Sequence, residues 1–221
     1  MMLAHPQMNS VIDFSMPGVQ TLVIEDPDFF RSFLQDIRLQ IDGYPGKTVL
    51  SEKCVPLEWP KKCELLDTFL SFNLNRKPLL IKITAALEAA AMTEGFYQQT
   101  TALLSQMECY LDDLTFCADC DVVCGEMTIS ALLKAAGISI RDDYDDPLER
   151  LLDYMELVRC YEREKLFLFV NLRSYFSDGS IRRFFQTVLD HQYAILLVDA
   201  WEHPRLPEER RLIIDKDLCE I

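Results

Sequence analysis

The sequence has none of the segments that anchor a chain in a membrane or export it. No apolar run approaches the length of a membrane span, and the longest, Leu166–Val170 and Ala194–Val198, have the size of buried strands. The first six residues contain neither a basic region nor a sustained apolar region, so they do not predict a secretory signal. We therefore expect a cytoplasmic protein without a membrane partner.

Histidine is scarce, and no hydrolase motif can be assembled from it. The only histidines are His5, His191 and His203, and none lies in a recognisable catalytic pattern. Internal repeats and low-complexity segments are also missing. The 221 residues are 49% hydrophobic and 26% charged, which is typical of a globular protein with one large domain or two small ones. This composition excludes a disordered chain and a collagen-like rod.

Positive charge is in short supply, and the deficit is local. The chain has 22 Lys and Arg against 36 Asp and Glu, for a formal net charge of −14. Residues 83–165 carry −11 of this charge, whereas the segments before and after them carry −1 and −2. An acidic protein repels polyanions on approach. Nucleic-acid binding would therefore require a local basic surface, with the acidic middle directed away or neutralised by a cation.

The two ends of the chain have the pattern of an α/β fold. A short strand is predicted at Thr21–Ile24, before a helix that begins near Pro27, where the flanking acidic residues suit a helix N-terminus. Near the other end, Leu166–Val170 and Ala194–Val198 flank a helical pattern that follows Ser177. Strand, helix and strand of this length predict a βαβ unit with a parallel pair.

The middle of the chain has helical spacing from about Pro60 onward. The predicted helical segments are the stretch with Leu65, Leu66, Phe69 and Leu70, then Leu79–Ala91, Tyr97–Phe116, Thr128–Ala136 closed by Gly137, and a helix opened by Pro147. We therefore predict an α/β head domain from residues 1–75 and 165–221, and an α-helical domain from residues 76–164.

Two fragments resemble parts of a nucleotide site. Gly43–Thr48 is similar to the end of a phosphate-binding loop, but Ile41 stands where the first glycine is needed and a strand rather than a helix is predicted after Lys47. Ala194–Asp199 is similar to a strand that ends in a magnesium-binding Asp, but Ala200 follows instead of an acidic base. We interpret the first as a turn and the second as a buried strand that ends in a surface Asp. An NTPase-like scaffold without catalytic residues follows, and we expect no enzymatic activity.

The densest group of metal-ligating side chains lies between residues 117 and 126. Calcium would use the carboxylates of Asp119, Asp121 and Glu126, because calcium prefers oxygen ligands. Zinc would use cysteines, although only one C-x-x-C pair is present; these are Cys117, Cys120, Cys124 and, at a distance, Cys109. The third interpretation is a solvated acidic loop.

Several segments, in order along nearly the whole chain, are similar to one known family. They are Leu22–Asp26, Leu50–Lys53 with Pro56–Trp59, Glu126–Ile138, Leu166–Asn171 with Tyr175–Phe176, and Ile213–Asp217. Each segment alone is weakly specific, whereas their order, spacing and total length together are specific. The sequence resembles the Csn-two family of CRISPR-associated proteins from type II-A systems.

The resemblance implies a non-enzymatic protein of CRISPR spacer acquisition. It implies an α/β head similar to a degenerate P-loop NTPase core, with an extended α-helical leg inserted. It also implies a homotetrameric ring, supported by Ca²⁺, that encircles double-stranded DNA without reading its sequence, binds free ends and slides. The implied partners are the spacer integrase proteins and the guide-RNA effector nuclease.

The resemblance also implies site residues. Asp119, Asp121 and Glu126 fall on the acidic calcium-binding stretch of the family, although Val123 and Gly125 stand where the family is acidic. The nearby cysteines are a further departure and leave zinc or redox chemistry open. The family lines its DNA channel with basic side chains, and the candidates in this sequence are Lys53, Lys61, Lys62 and Lys134.

Two other functions fit the same residues. One is a degenerate nucleotide-binding protein, and the other is a scaffold that binds only protein. Both lack a ring around DNA, so native mass and the topology of the DNA that binds distinguish them from the first function.

Overall fold

The computed structural model describes residues 1–16 and 18–221. Pro17, in the predicted turn at Pro17-Gly18, lies outside the described residues. The chain forms two compact units, one from Met1–Phe72 and Tyr144–Ile221 and the other from Asn73–Asp143. These bounds differ from the predicted 76–164 for the helical domain, because the helix at Pro147–Glu162 belongs to the first unit.

The secondary structure is mixed α/β, which confirms the predicted class. The strands are β1 (Met2–Ala4), β2 (Ile12–Asp13), β3 (Val19–Ile24), β4 (Val49–Glu52), β5 (Val55–Pro56), β6 (Cys63–Leu66), β7 (Leu166–Val170), β8 (Ala194–Asp199) and β9 (Glu209–Ile214). The helices are α1 (Pro27–Ile41), α2 (Trp59–Lys62), α3 (Lys77–Ala91), α4 (Glu94–Thr115), α5 (Ile129–Ala136), α6 (Pro147–Glu162) and α7 (Asp178–Asp190). Among the described helices, none is long and apolar enough to cross a bilayer.

A five-stranded, wholly parallel sheet forms the centre of the first unit. Its order is β6–β7–β8–β3–β9, and β7 and β8 are joined through α7 as the predicted βαβ unit. Every residue of β3 and β7 is buried, because helices cover parallel sheets on both faces. A second sheet, antiparallel and in the order β2–β1–β4–β5, adds Leu3 and Leu50 to the main core.

Helix α1 begins and packs as its sequence predicts. The carboxylate of Asp26 accepts a hydrogen bond from the Phe29 N–H at 2.7 Å, and Pro27 follows at the first helical turn. Phe29, Phe33 and Ile37 recur every four residues and are buried against one face of the parallel sheet. Helix α7 also packs on the sheet: Phe169 of β7 contacts Phe184 of α7, and their ring centroids are 5.8 Å apart.

The helical prediction for residues 63–66 is wrong. Cys63–Leu66 is strand β6, which pairs in parallel with β7 so that Cys63 is opposite Leu166. The apolar spacing of Leu65, Leu66 and Phe69 is compatible with a helix. Hydrogen bonding to strand β7, about 100 residues later in the chain, nevertheless makes this segment a strand. A partner so distant in sequence leaves no local signal. Strand β9 was likewise not predicted.

The second unit consists of α3, α4 and α5. Thr128 caps α5 through its hydroxyl, and Gly137 closes it with φ of 64°, as the sequence predicts. The break between α3 and α4 falls at Met92 and Thr93, and Gly95 lies inside α4. In α3 and α4 only Leu79 and Thr100 are buried, so these helices expose most of their apolar side chains.

Candidate functional site

The fragment that resembles a phosphate-binding loop is closed by a side chain of its own unit. The Asp36 carboxylate, on α1, accepts hydrogen bonds from the N–H groups of Lys47 and Thr48, both at 2.7 Å, and from the Thr48 hydroxyl at 2.6 Å. In a phosphate loop such groups face the phosphates. Here they are committed to Asp36, and strand β4 follows instead of a helix. The structure therefore agrees with the interpretation as a turn.

The bonds to Asp36 also determine its ionisation. Burial opposes the charged form, but the hydrogen bonds from Thr48, Lys47 and Gln40 together outweigh burial and lower the pKa of Asp36. Because the folded pKa lies below the unfolded value, this contribution to stability is present above the unfolded pKa and is lost as the pH falls through the folded one.

We predict that Asp36→Ala destabilises the protein by roughly 1.5–3 kcal/mol, because two backbone donors and a hydroxyl lose a charged acceptor. Urea unfolding at neutral pH, followed by far-UV circular dichroism, measures the difference. Asp28→Ala is the matched control, since Asp28 is exposed on the same helix and its ion pair is with exposed Arg31. Equal midpoints for both variants would contradict the prediction.

The strand-end aspartate is not on the surface, and that interpretation is wrong. Asp199 is 1% exposed, and within the described residues neither of its carboxylate oxygens has a hydrogen-bond partner. Burial raises the pKa of Asp199 to about 7, although the nearby Arg173 and Arg211 act in the opposite direction. A carboxyl so enclosed is not placed to receive a metal and a nucleotide from solvent.

The predicted metal residues lie in the second unit, in a segment without regular structure between α4 and α5. Asp119, Asp121 and Glu126 are all exposed. Over residues 1–16 and 18–221, no group of three or more His, Cys, Asp or Glu side chains is arranged to hold a metal ion. The single chain therefore does not fit calcium at these residues. The cysteines Cys117, Cys120 and Cys124 are exposed free thiols and form no such group either.

The predicted DNA-binding lysines belong to both units. Lys53 and Cys54 form the tip of the β4–β5 hairpin, where both have positive φ, and Lys53 is exposed. Lys61, at the end of α2, pairs with Glu58 at 2.6 Å on the surface. Lys62, next to it, is half-buried and lines a cavity of about 450 Å³. Lys134 is exposed on the last turn of α5, in the second unit.

Local charge distinguishes these lysines from one another. Glu52 and Glu164 line the same cavity as Lys62 and would compete with a phosphate for it. Glu58 competes in the same way for Lys61. Lys53 has no ion pair among the described residues and lies at a loop tip. Of the three lysines in the first unit, it is therefore the most accessible to a phosphate.

The first unit also contains a cluster of buried charges that matches no motif in the sequence. Arg173 donates to Glu209 at 2.6 Å, and Arg211 donates to the other oxygen of Glu209. All three side chains are almost completely buried. The available signal is the run Glu209-Arg210-Arg211 directly before the apolar Leu212–Ile214, because charges that enter an apolar strand need partners if they are buried.

Comparison with known proteins identifies the family. A family model described as CRISPR-associated protein (Cas_Csn2) matches residues 40–218. The chain is also similar to the CRISPR-associated protein Csn2 of Streptococcus agalactiae, with 24% identity over 204 residues that cover 89% of this chain and 87% of the relative. The family match covers both the turn that Asp36 closes and the buried cluster of Arg173, Glu209 and Arg211. The chain therefore belongs to the Csn2 family of CRISPR-associated proteins.

Proposed function

We propose that this protein is a non-enzymatic, sequence-independent binder of double-stranded DNA that acts as a homotetrameric ring in CRISPR spacer acquisition of type II-A systems. The observation that carries the proposal is the family match over residues 40–218, which spans both compact units. The partners in this proposal are the spacer integrase proteins and the guide-RNA effector nuclease, in the cytoplasm.

The exposed apolar surface of the second unit supports self-association. Among its large exposed side chains, Phe96, Tyr110 and Phe116 are 57%, 63% and 86% accessible. Isolated exposed apolar residues are ordinary, but helices α3 and α4 bury only Leu79 and Thr100 in the single chain. An apolar surface of this extent favours contact with another protein surface. In this proposal the surface is covered by other copies of the chain, and the two helices form the leg of each subunit.

The first unit supports a head related to a degenerate P-loop NTPase core. Its parallel sheet carries α1 directly after β3, where a phosphate loop would stand, but only Glu25 and Asp26 connect them. Two acidic residues at this position disfavour a nucleotide phosphate. This arrangement counts against the alternative of a degenerate nucleotide-binding protein.

Native mass spectrometry and DNA of two topologies test the proposed function. A ring should have the mass of four chains and should load onto short linear duplex while failing on small closed circles, because a closed circle offers no end to thread. A monomer, or equal affinity for linear and closed circular DNA at the same ionic strength, would refute the ring. A tetramer without DNA affinity would favour the protein-only scaffold.

We predict that the protein does not hydrolyse ATP above background. The backbone N–H groups that would hold phosphates donate to Asp36 instead. Lys47 is exposed and is followed in the chain by strand β4 and not by a helix. Phosphate release should be equal for the parent protein and Lys47→Ala. Turnover that disappears in Lys47→Ala would show that the loop is functional.

Calcium enters the proposal only for the assembled protein, since the described part of the single chain does not bring three ligands together. Assembly would bring further copies of the exposed carboxylates of Asp119 and Asp121 into the same particle, where a cation would offset like-charge repulsion. We predict that chelation lowers the melting temperature and favours smaller species, and that Asp119→Ala with Asp121→Ala does so at saturating calcium. Cys117→Ser with Cys120→Ser is the matched control for zinc. An unchanged mass and melting temperature after chelation would eliminate calcium.

A further inference from the structure

Residues 200–208 connect β8 to β9 within the first unit, and two buried arginines bind their backbone. Arg173, which follows β7, donates from Nη2 to the Pro204 carbonyl at 2.8 Å. Arg211, in β9, donates from Nη1 to the His203 carbonyl at 2.7 Å. Both guanidinium groups also bind Glu209, one to each carboxylate oxygen. The ends of the segment are held separately, because the Ala200 N–H donates to Asn171 Oδ1 at 2.9 Å and the Glu208 carbonyl accepts from the Val19 N–H at 2.8 Å. The two arginines are therefore polar anchors of its middle.

Asp199 lies directly before this segment, and its side chain differs from those of the two arginines in its hydrogen bonding. Neither oxygen of its carboxyl group has a hydrogen-bond partner among the described residues, and the side chain is 1% exposed. The Nε atoms of Arg173 and Arg211 and the hydroxyl of Thr21 are buried and unpaired in the same way. Buried polar groups without partners are rare in native proteins and usually have a functional or solvent-related cause.

Strand register places these unpaired groups on one face of the sheet. Thr21 is opposite Arg211 in the β3–β9 ladder and opposite Leu197 in the β3–β8 ladder. Asp199 is two residues beyond Leu197 and therefore projects from the same face as Thr21. The carboxyl group thus shares a buried layer with Arg211 and, through it, with Glu209.

The surrounding charges are unequal in their effect on Asp199. Arg173 and Arg211 favour its ionised form, whereas Glu209 and, above all, burial favour the neutral acid. The other titratable groups near Asp199 are His203, on which both arginines act electrostatically, and the carboxylates Asp178 and Glu202, which pair with Arg173 and Arg211 respectively. Burial therefore favours the neutral acid of Asp199. The fraction of molecules in which Asp199 carries its proton changes with pH near neutrality.

We propose that Asp199 acts as a proton-controlled latch for residues 200–208. When Asp199 carries its proton, Arg173 and Arg211 remain on the carbonyls of Pro204 and His203 and hold the segment. When Asp199 releases its proton to solvent, the buried carboxylate attracts both guanidinium groups. The guanidinium is a rigid plane, so turning its free Nε toward Asp199 moves the Nη atoms and lengthens their bonds to the segment. The middle of the segment, around His203 and Pro204, then loosens.

Trp201 lies inside the segment and reports on the latch. It is 50% exposed, whereas the other tryptophan, Trp59, is 5% exposed and belongs to the core around α1. The experiment measures acrylamide quenching of tryptophan fluorescence in the full-length protein on either side of pH 7, and subtracts the signal of the Trp201→Phe protein. Quenching of Trp201 should increase as the pH rises through about 7.

Two variants decide the proposal. Asp199→Asn, which cannot ionise, should keep the low quenching over the whole range, and His203→Gln should retain the transition of the parent. A transition that survives in Asp199→Asn, one that is lost in His203→Gln, or a parent without any transition would overturn it.

A second measurement is independent of the tryptophan signal. The folded pKa of Asp199 lies above its unfolded value, so the parent loses stability as the pH rises from about 3.8 through about 7. Asn does not titrate, so the melting temperature of Asp199→Asn relative to the parent should increase over that interval. A difference that is independent of pH would overturn the proposal.

Discussion

Replacing Lys53, Lys61, Lys62 and Lys134 together by Glu is expected to abolish binding to double-stranded DNA and leave the oligomer intact. Contacts to phosphates provide most of the affinity of a sequence-independent binder, and each lost contact lowers the slope of log affinity against log salt by about 0.9. Reversal of four charges in every subunit adds repulsion to that loss. We expect a decrease of about a thousandfold or more at physiological salt.

A matched control separates the site from the overall charge. Arg31, Arg38, Arg141 and Arg182 are exposed arginines that already pair with carboxylates, three in the first unit and one in the second, as for the lysines. Their joint replacement by Glu produces the same change in charge per chain. Fluorescence anisotropy with a labelled duplex, read at several salt concentrations, should show a much smaller loss for this protein.

The single substitutions should differ among themselves. Lys53→Glu should weaken binding more than Lys61→Glu, because Glu58 already occupies Lys61. An unchanged affinity of the fourfold lysine variant, with unchanged native mass, would place the DNA on another face. Arg205 and Arg210, which are exposed and have no ion pair among the described residues, would then be the next residues to replace.

Removal of the Glu209 carboxylate is expected to have the largest effect on stability. Glu209→Ala leaves the guanidinium groups of Arg173 and Arg211 buried without the anion between them. Breaking a buried charge pair by removal of one partner costs about 3–5 kcal/mol, which for a unit of this size lowers the melting temperature by roughly 10 °C. Thermal unfolding and urea titration measure the loss.

Two comparisons show whether the charges themselves cause it. Arg31→Ala, which breaks an exposed pair, should cost less than about 1 kcal/mol. The joint change Arg173→Met, Glu209→Leu and Arg211→Met removes all three charges and should restore much of the stability lost in Glu209→Ala, because no charge remains unpaired. A Glu209→Ala protein as stable as Arg31→Ala would show that the cluster is not buried in solution.

Part of the fold could be predicted because its determinants are local. Asp26 with Pro27, Thr128 with Gly137, and Asp146 with Pro147 each determine a helix end through a cap or a restricted backbone within a few residues. The fully apolar Leu166–Val170 predicted a strand covered on both faces, and it is one. The absence of a phosphate-loop helix after Lys47 could also be predicted, from Ile41 and the apolar residues after Lys47.

The candidate site could be predicted less well. The sequence supplied the lysines and the acidic segment as candidates, but it could not show that Glu58 pairs with Lys61 or that Glu52 and Glu164 share a cavity with Lys62. It also could not show whether Asp119, Asp121 and Glu126 converge, because ligand geometry depends on the path of residues 117–128 in space. Such distances are properties of packing and not of spacing along the chain.

The sequence by itself determined the class of the fold, most helix ends, the buried strands at Leu166–Val170 and Ala194–Val198, and the resemblance to the family. Only the tertiary structure decided that Cys63–Leu66 is a strand and that α6 belongs with the parallel sheet. It also decided that Asp199 is buried and that Glu209 joins two arginines. The physical reason is the same in each case: strand pairing and charge pairing join residues that are far apart in sequence, whereas caps and apolar periodicity act within a few residues.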